Sequence, residues 1–99
     1  MKLHLGKRVL RQVERKEAWW AENRHAAPDL FAREFRDTLE FIRTTPGSGI
    51  GWPTPRRPVL RRILMPRTQN HIFFVVDEKA QTIHVLAIWG AARERSPKL

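Results

Sequence analysis

A single histidine beside a run of arginines is the feature of this sequence that could do chemistry. His71 follows Arg61, Arg62 and Arg67, and the segment 41–76 contains no Asp or Glu. An imidazole exchanges a proton near neutral pH, so it can serve as an acid or a base. A guanidinium can bind two oxygens of one phosphate. Together these groups fit chemistry on a phosphodiester, with the histidine moving a proton and the arginines holding the anion.

The basic residues extend beyond this run and indicate a polyanionic partner. The net charge is +9 over 99 residues, which favours nucleic acid, the ribosome or an acidic protein. A charge run is usually only a solvated face, but this one spans both a loop and a strand. The candidate target-binding residues are Arg56, Arg57, Arg61, Arg62, Arg67, Arg93 and Arg95.

Several other polar and aromatic residues have simpler interpretations. His71 could be a strand-edge histidine with a structural hydrogen bond, and His84 fits packing on a sheet face. No His spacing predicts a metal site, and the absence of Cys excludes a disulfide or a thiolate site. No cofactor is expected. Trp19 and Trp89 fit partner-binding or core anchors better than base-stacking platforms.

Three apolar runs predict consecutive antiparallel strands that would carry these residues. They cover 59–65, 71–76 and 82–89, and each is rich in β-branched or aromatic residues. In the last run, strict alternation would place Val85, Ala87 and Trp89 on one face and Leu86 and Ile88 on the other. Nearly every position of the last two runs is apolar, so both faces must be covered, by the C-terminal tail, a partner chain or both.

The segment before these strands predicts a helical hairpin. Residues 2–5 fit a short edge strand, 7–23 fit a helix with Trp20 in the core, and Pro28 suits the first turn of a second helix. Glycines and prolines predict an irregular connection over 44–58, without the Lys-Ser/Thr of a phosphate loop. The expected fold is one α+β domain, 1–99, with the two-helix hairpin packed on a small antiparallel sheet in the order β-α-α-β-β-β.

This order resembles the RelE/ParE family of toxins from type II toxin–antitoxin systems. The resemblance rests on RQVERKEAWWAENRHAAPDLFAREF, RRILMPRT, HIFFVVDEKAQTIHVLAIW and GAARERS. It implies a toxin that inhibits growth and a cognate antitoxin that silences it in a hetero-oligomer. No apolar run is long enough to span a membrane and no signal-peptide pattern begins the chain, so a cytoplasmic protein is expected.

The family has two main activities, and the residues favour one over the other. RelE-like members cut mRNA on the ribosome with basic residues and a tyrosine; ParE-like members inhibit DNA gyrase. A RelE-like chain would use His71, Arg61 and Arg93 in catalysis, but this sequence has no Tyr. The sequence therefore favours a ParE-like toxin directed at gyrase. The alternatives are a RelE-like, metal-independent mRNA endonuclease and a non-toxic basic module that binds nucleic acid.

Overall fold

Two helices lie on one face of a five-stranded sheet in the computed structural model, which describes residues 1–93 and 95–99. In chain order the elements are β1 (Lys2–Leu5), α1 (Lys7–Asn23), α2 (Leu30–Thr44), β2 (Ile50–Gly51), β3 (Arg61–Met65), β4 (Asn70–Asp77) and β5 (Thr82–Gly90). The sheet order is β1-β5-β4-β3-β2. This confirms the α+β class and the predicted order of the main elements.

Two details of the sheet differ from the prediction. The sheet is mixed, because β1 pairs with β5 in parallel while the other pairs are antiparallel. The helices separate β1 from the later strands, so no hairpin turn imposes antiparallel pairing on it. The connection predicted to be irregular contains β2, whose Ile50 pairs with Arg62.

The second helix begins later than predicted. It starts at Leu30, with Asp29 at the N-cap position, and the chain at Pro28 is still in a turn. That turn is closed by a hydrogen bond from the Leu30 backbone nitrogen to the Ala27 carbonyl, 3.2 Å long. Asp29 then pairs with Arg33 one turn into the helix, at 3.1 Å. Among the described residues, neither helix is long and apolar enough to cross a membrane.

The main core fills the space between the helices and the sheet. Its buried members come from α1, α2 and the three long strands: Val9, Val13, Phe31, Phe35, Ile42, Met65, Ile72, Phe74, Ile83, Val85 and Ile88. Trp20 packs against this core, whereas Trp19 remains 47% exposed. Adjacent helix positions lie about 100° apart, so the two indoles cannot share the buried face.

A smaller core covers the opposite face of the sheet. Leu60, Phe73 and Ala87 form its centre, and the 52–60 connection and the C-terminal tail cover it. Leu99 packs there, and its carbonyl accepts a hydrogen bond of 2.8 Å from the Thr54 hydroxyl. The tail thus supplies part of the cover that the apolar strands require.

A register shift decides which residues of β5 reach this second face. Phe73 pairs with Ala87 but Phe74 pairs with Val85, so Leu86 is an extra residue on β5. Such a bulge interrupts the two-residue alternation. Ala87 and Trp89 consequently pack on the second face, instead of joining Val85 in the main core as strict alternation predicts.

Glu34 of α2 anchors the turn between β3 and β4. Its carboxylate accepts hydrogen bonds from the Arg67 and Thr68 backbone nitrogens at 2.8 and 2.9 Å and from the Thr68 hydroxyl at 2.7 Å. We expect Glu34→Ala to lower the free energy of unfolding by about 1–3 kcal/mol, because the buried Thr68 hydroxyl, which still accepts a hydrogen bond from the Asn70 side chain, loses the acceptor for its own proton. Urea denaturation measures this. Glu40→Ala, which removes an exposed carboxylate from the same helix, is the control and should barely move the midpoint; equal effects of the two changes would refute the anchor.

Candidate functional site

The second face of the sheet carries a cationic and aromatic cluster near the start of β4. His71 lies opposite Leu64 of β3 and Trp89 of β5, and Arg62 lies opposite Phe73. Arg62 is therefore a diagonal neighbour of His71 on the same face. Arg93 follows β5 and stacks on Trp89. We call the surface formed by Arg62, His71, Trp89 and Arg93 the His71 face.

Two tryptophans hold the guanidinium groups of this face. The Arg62 Cζ atom lies 3.7 Å from the ring centroid of Trp52, and the Arg93 Cζ atom lies 3.9 Å from that of Trp89. Stacking of this kind orients a guanidinium while its N–H groups, which point outward in the plane, stay available to bind an anion. The cluster therefore presents one pre-oriented cation beside the imidazole and a second on the tryptophan opposite it.

The backbone after β5 places Arg93 over the sheet. The Ala91 nitrogen donates to the Gln69 carbonyl at 2.8 Å, and the Arg93 nitrogen donates to the Gly90 carbonyl at 3.2 Å. The Trp89 indole nitrogen donates to the Arg95 carbonyl at 2.6 Å, which ties the next part of the tail to the same ring. These bonds fold the tail back beside β5, where the Arg93 side chain lies on the Trp89 ring.

His71 favours the neutral imidazole. Burial lowers the pKa of His71 below its ordinary value of 6.5, and the charge of Arg62 lowers it further. The side chain is only partly buried, so solvent still reaches it. At neutral pH the ring can therefore accept a proton, which is the state that a general base requires.

We expect NMR titration to find the pKa of His71 below 6.5, and Arg62→Ala to raise it towards that value. The unfolded chain then binds more protons than the folded chain as the pH falls through 6.5. The free energy of unfolding is accordingly highest above pH 6.5, as far as His71 affects it, and it declines as the pH drops towards the folded-state pKa of His71. A His71 that titrates at or above 6.5 would contradict the assigned environment.

Arg61 points away from His71 and binds the connection before β2. Its Nε donates to the Ser48 carbonyl at 3.0 Å, and one terminal nitrogen donates to the Gly47 and Gly49 carbonyls at 2.8 and 3.0 Å. Gly49 has a φ of 76° and lies against the Arg62 backbone, so a side chain there would be strained and would clash. Arg61 thus holds the 47–49 loop against β3, and this close approach requires glycine at position 49.

Replacement of Arg61 by alanine should therefore lower stability by about 1–2 kcal/mol, since three carbonyls lose a charged donor. Thermal unfolding of Arg61→Ala and Arg61→Lys provides the measurement. Lysine should recover only part of the loss, because it lacks the planar fork. An alanine variant as stable as the parent chain would show that these bonds contribute nothing.

The other predicted arginines lie at separate places. Arg57 borders an apolar cavity at the far end of the second face, with Val59 and Val75, and Arg56 precedes it in the exposed connection. Arg67 lies on the α2 side of the sheet, in a groove with Glu34. Arg95 is exposed, and it contacts the His71 face through its backbone carbonyl, which accepts the hydrogen bond from the Trp89 indole. The structure brings Arg62 to His71, places Arg93 on the ring of Trp89, which lies opposite His71, and leaves the side chains of Arg56, Arg57 and Arg67 elsewhere.

Helix α1 supplies Gln12, Arg15 and Lys16, which the sequence did not single out, and Trp19, which it did. A cleft of about 320 Å³ adjoins the His71 face, and we call it the α1 cleft; its lining residues are Gln12, Arg15, Lys16, Trp19, Ile88, Trp89 and Arg93. The α1 residues recur at spacings of three and four, which is one face of a helix. That polar stripe was visible in the sequence, but its position beside β5 was not.

The described residues include no group of three or more His, Cys, Asp or Glu side chains that could hold a metal ion.

Comparison with known proteins identifies the fold. No family model and no curated protein matches the sequence. Among solved structures, the isolated RelE toxin of E. coli is similar, with a TM-score of 0.61 and 13% identity over 94% of this chain and 86% of the toxin chain. The chain therefore has the fold of the RelE toxin.

Proposed function

We propose that this chain is the toxin of a toxin–antitoxin pair and that it acts on RNA at the His71 face. The likeness in fold to a protein described as a toxin supports the general class. The observation that carries the choice of RNA is the neutral-favouring imidazole of His71 beside the stacked guanidinium of Arg62 and opposite Trp89, on which Arg93 stacks. The gyrase-directed activity that the sequence favours becomes the second candidate.

The His71 face suits cleavage by the neighbouring 2′-hydroxyl of RNA. His71 accepts the 2′-hydroxyl proton, and the 2′-oxygen then attacks phosphorus. The bond to the 5′-oxygen breaks, and that oxygen takes a proton from water or from the imidazolium. Arg62 and Arg93 offset the charge that gathers on the non-bridging oxygens. The products are a 2′,3′-cyclic phosphate and a 5′-hydroxyl, so the reaction balances without an added reactant.

Gyrase inhibition remains a candidate because two groups expected of a nuclease are not at the site. The chain has no tyrosine, and Arg61 binds the 47–49 loop. A basic protein surface alone would suffice for an inhibitor that binds gyrase and does no chemistry. The third candidate, a non-toxic binding module, needs the same surface and predicts no effect on growth.

A cognate antitoxin is the partner that either toxin requires. Trp19 is 47% exposed and lies with Trp89 at the α1 cleft, next to Arg93. Exposed tryptophans near cations are typical anchors for a partner with apolar and acidic residues. We propose that an antitoxin covering this surface would silence the chain, in a hetero-oligomer.

Induced expression tests the shared proposal. Production of the chain should stop bacterial growth, and co-expression of the adjacent small gene should restore it. Arg62→Ala should relieve the arrest, whereas Arg36→Ala, which removes an exposed arginine of α2 far from the His71 face, should not. Normal growth under strong expression would refute both toxin candidates and leave the binding module.

Two assays of the purified chain then separate the targets. The RNA proposal expects cleavage of mRNA in a translating ribosome system and normal supercoiling by gyrase. The gyrase candidate expects the opposite pair of results.

A further inference from the structure

The α1 cleft groups three cations. Arg15, Lys16 and Arg93 line it, and the described lining residues include no Asp or Glu. None of the three forms an ion pair within 1–93 and 95–99, whereas Arg33 and Arg43 on α2 each have a carboxylate partner. Three like charges drawn together in this way make a ready site for an anion.

Lys16 shows that this crowding is more than a solvated helix face. Its side chain is partly buried, and burial lowers the pKa of Lys16 below its ordinary value, with Arg93 and Arg15 lowering it further. Each of these causes disfavours the charged ammonium of Lys16, so placing it in the cleft does not stabilise the folded chain. A bound anion would reverse the repulsion and strengthen the charged form.

The packing of α1 against β5 fixes the cleft in place. The Gln12 side-chain oxygen accepts a hydrogen bond of 2.9 Å from the Ile88 backbone nitrogen. That nitrogen is free because β1 ends at Leu5, which pairs with Val85, and leaves the outer edge of β5 uncovered beyond it. Gln12 thus replaces the missing strand and sets the next turn of α1, with Arg15 and Lys16, beside Trp89.

We propose that the α1 cleft binds a backbone phosphate of single-stranded RNA, next to the phosphate held at the His71 face. The inference rests on the proposed RNA-directed function. Trp89 and Arg93 belong to both sites, so a strand that leaves the His71 face enters the cleft directly. The exposed indole of Trp19 also lines the cleft and can stack on a base of the same strand, although the sequence favoured an anchor for a protein partner there.

Binding of a short RNA tests this site without requiring cleavage. The probe is a single-stranded oligonucleotide of about ten nucleotides, within the range of site sizes of single-strand binders. The parent is the full-length His71→Ala chain, which should leave the probe uncut. Affinity is measured over a series of salt concentrations, because each phosphate contact on a single strand contributes about 0.7 to the slope of log K against log salt.

The paired change Arg15→Ala and Lys16→Ala should weaken binding about tenfold or more and reduce that slope by about 0.7 or more. The control, Lys7→Ala with Arg11→Ala, removes two exposed cations from the same helix outside the cleft and should leave both quantities close to those of the parent. Arg15 is exposed, so Arg15→Ala alone should stay folded and show part of the loss.

The outcomes separate this inference from the proposed function. Equal losses in the two pairs, no loss in either, or no RNA binding by the parent would overturn the cleft as a phosphate site. RNA that binds through the cleft but is not cut by the unmodified chain on ribosomes would overturn the proposed function and support the cleft.

Discussion

Replacement of His71 by alanine should lower the rate of RNA cleavage by about 10²- to 10⁴-fold, the usual contribution of a positioned general base. The environment of His71, beside Arg62 and opposite Trp89, favours the neutral ring. The rate with the unmodified chain should also be level above pH 6.5 and decline below the lowered pKa, because a protonated imidazole cannot accept the 2′-hydroxyl proton. Single-turnover cleavage in a programmed ribosome measures both effects.

His84 provides a matched control for that change. It occupies the same sheet face at the far end of β5, beside Leu86 and the cavity lined by Val59. His84→Ala should leave cleavage within a few-fold of the parent rate. An equal loss in both variants would indicate a general effect on the sheet, and an active His71→Ala chain would exclude His71 as the base.

Phe74→Ala should cost about 3–5 kcal/mol of unfolding free energy, the range for removal of a buried aromatic ring. Phe74 is 0% exposed and belongs to the core between helices and sheet. A domain of this size has a total stability of about 5–15 kcal/mol, so the variant should be close to unfolding at growth temperature. Urea denaturation at 25 °C gives the difference in unfolding free energy between the variant and the parent, when both curves are fitted with the same dependence of free energy on urea concentration.

Phe41 is the control for this loss, since it is an aromatic residue of α2 that is 51% exposed. Phe41→Ala should change the unfolding free energy by no more than about 1 kcal/mol. A Phe74→Ala chain as stable as Phe41→Ala would contradict the assignment of the main core.

The two helices and the long strands could be predicted because each has a local signal, whereas the two-residue β2 could not. The apolar runs of β4 and β5 and the helical stripe of α1 depend on neighbours in sequence, and these were found with nearly correct bounds. The bulge at Leu86 had no such signal. It depends on how β4 and β5 pair, and it moved Ala87 and Trp89 to the opposite face.

The candidate site was only partly predictable for the same reason. Arg61 and Arg62 are adjacent and chemically identical, and a strand must point them to opposite faces. Only the pairing of β3 with β4 shows that Arg62 shares a face with His71 while Arg61 reaches the 47–49 loop. The contribution of Lys16 likewise arises from contact between α1 and the tail, which are far apart in sequence.

The most direct test of the account is to map the ends of mRNA recovered from translating ribosomes after addition of the purified chain. We predict cuts that carry 2′,3′-cyclic phosphate and 5′-hydroxyl ends and that disappear with His71→Ala. Intact mRNA under conditions in which the same preparation stops gyrase supercoiling would contradict an RNA-cutting His71 face.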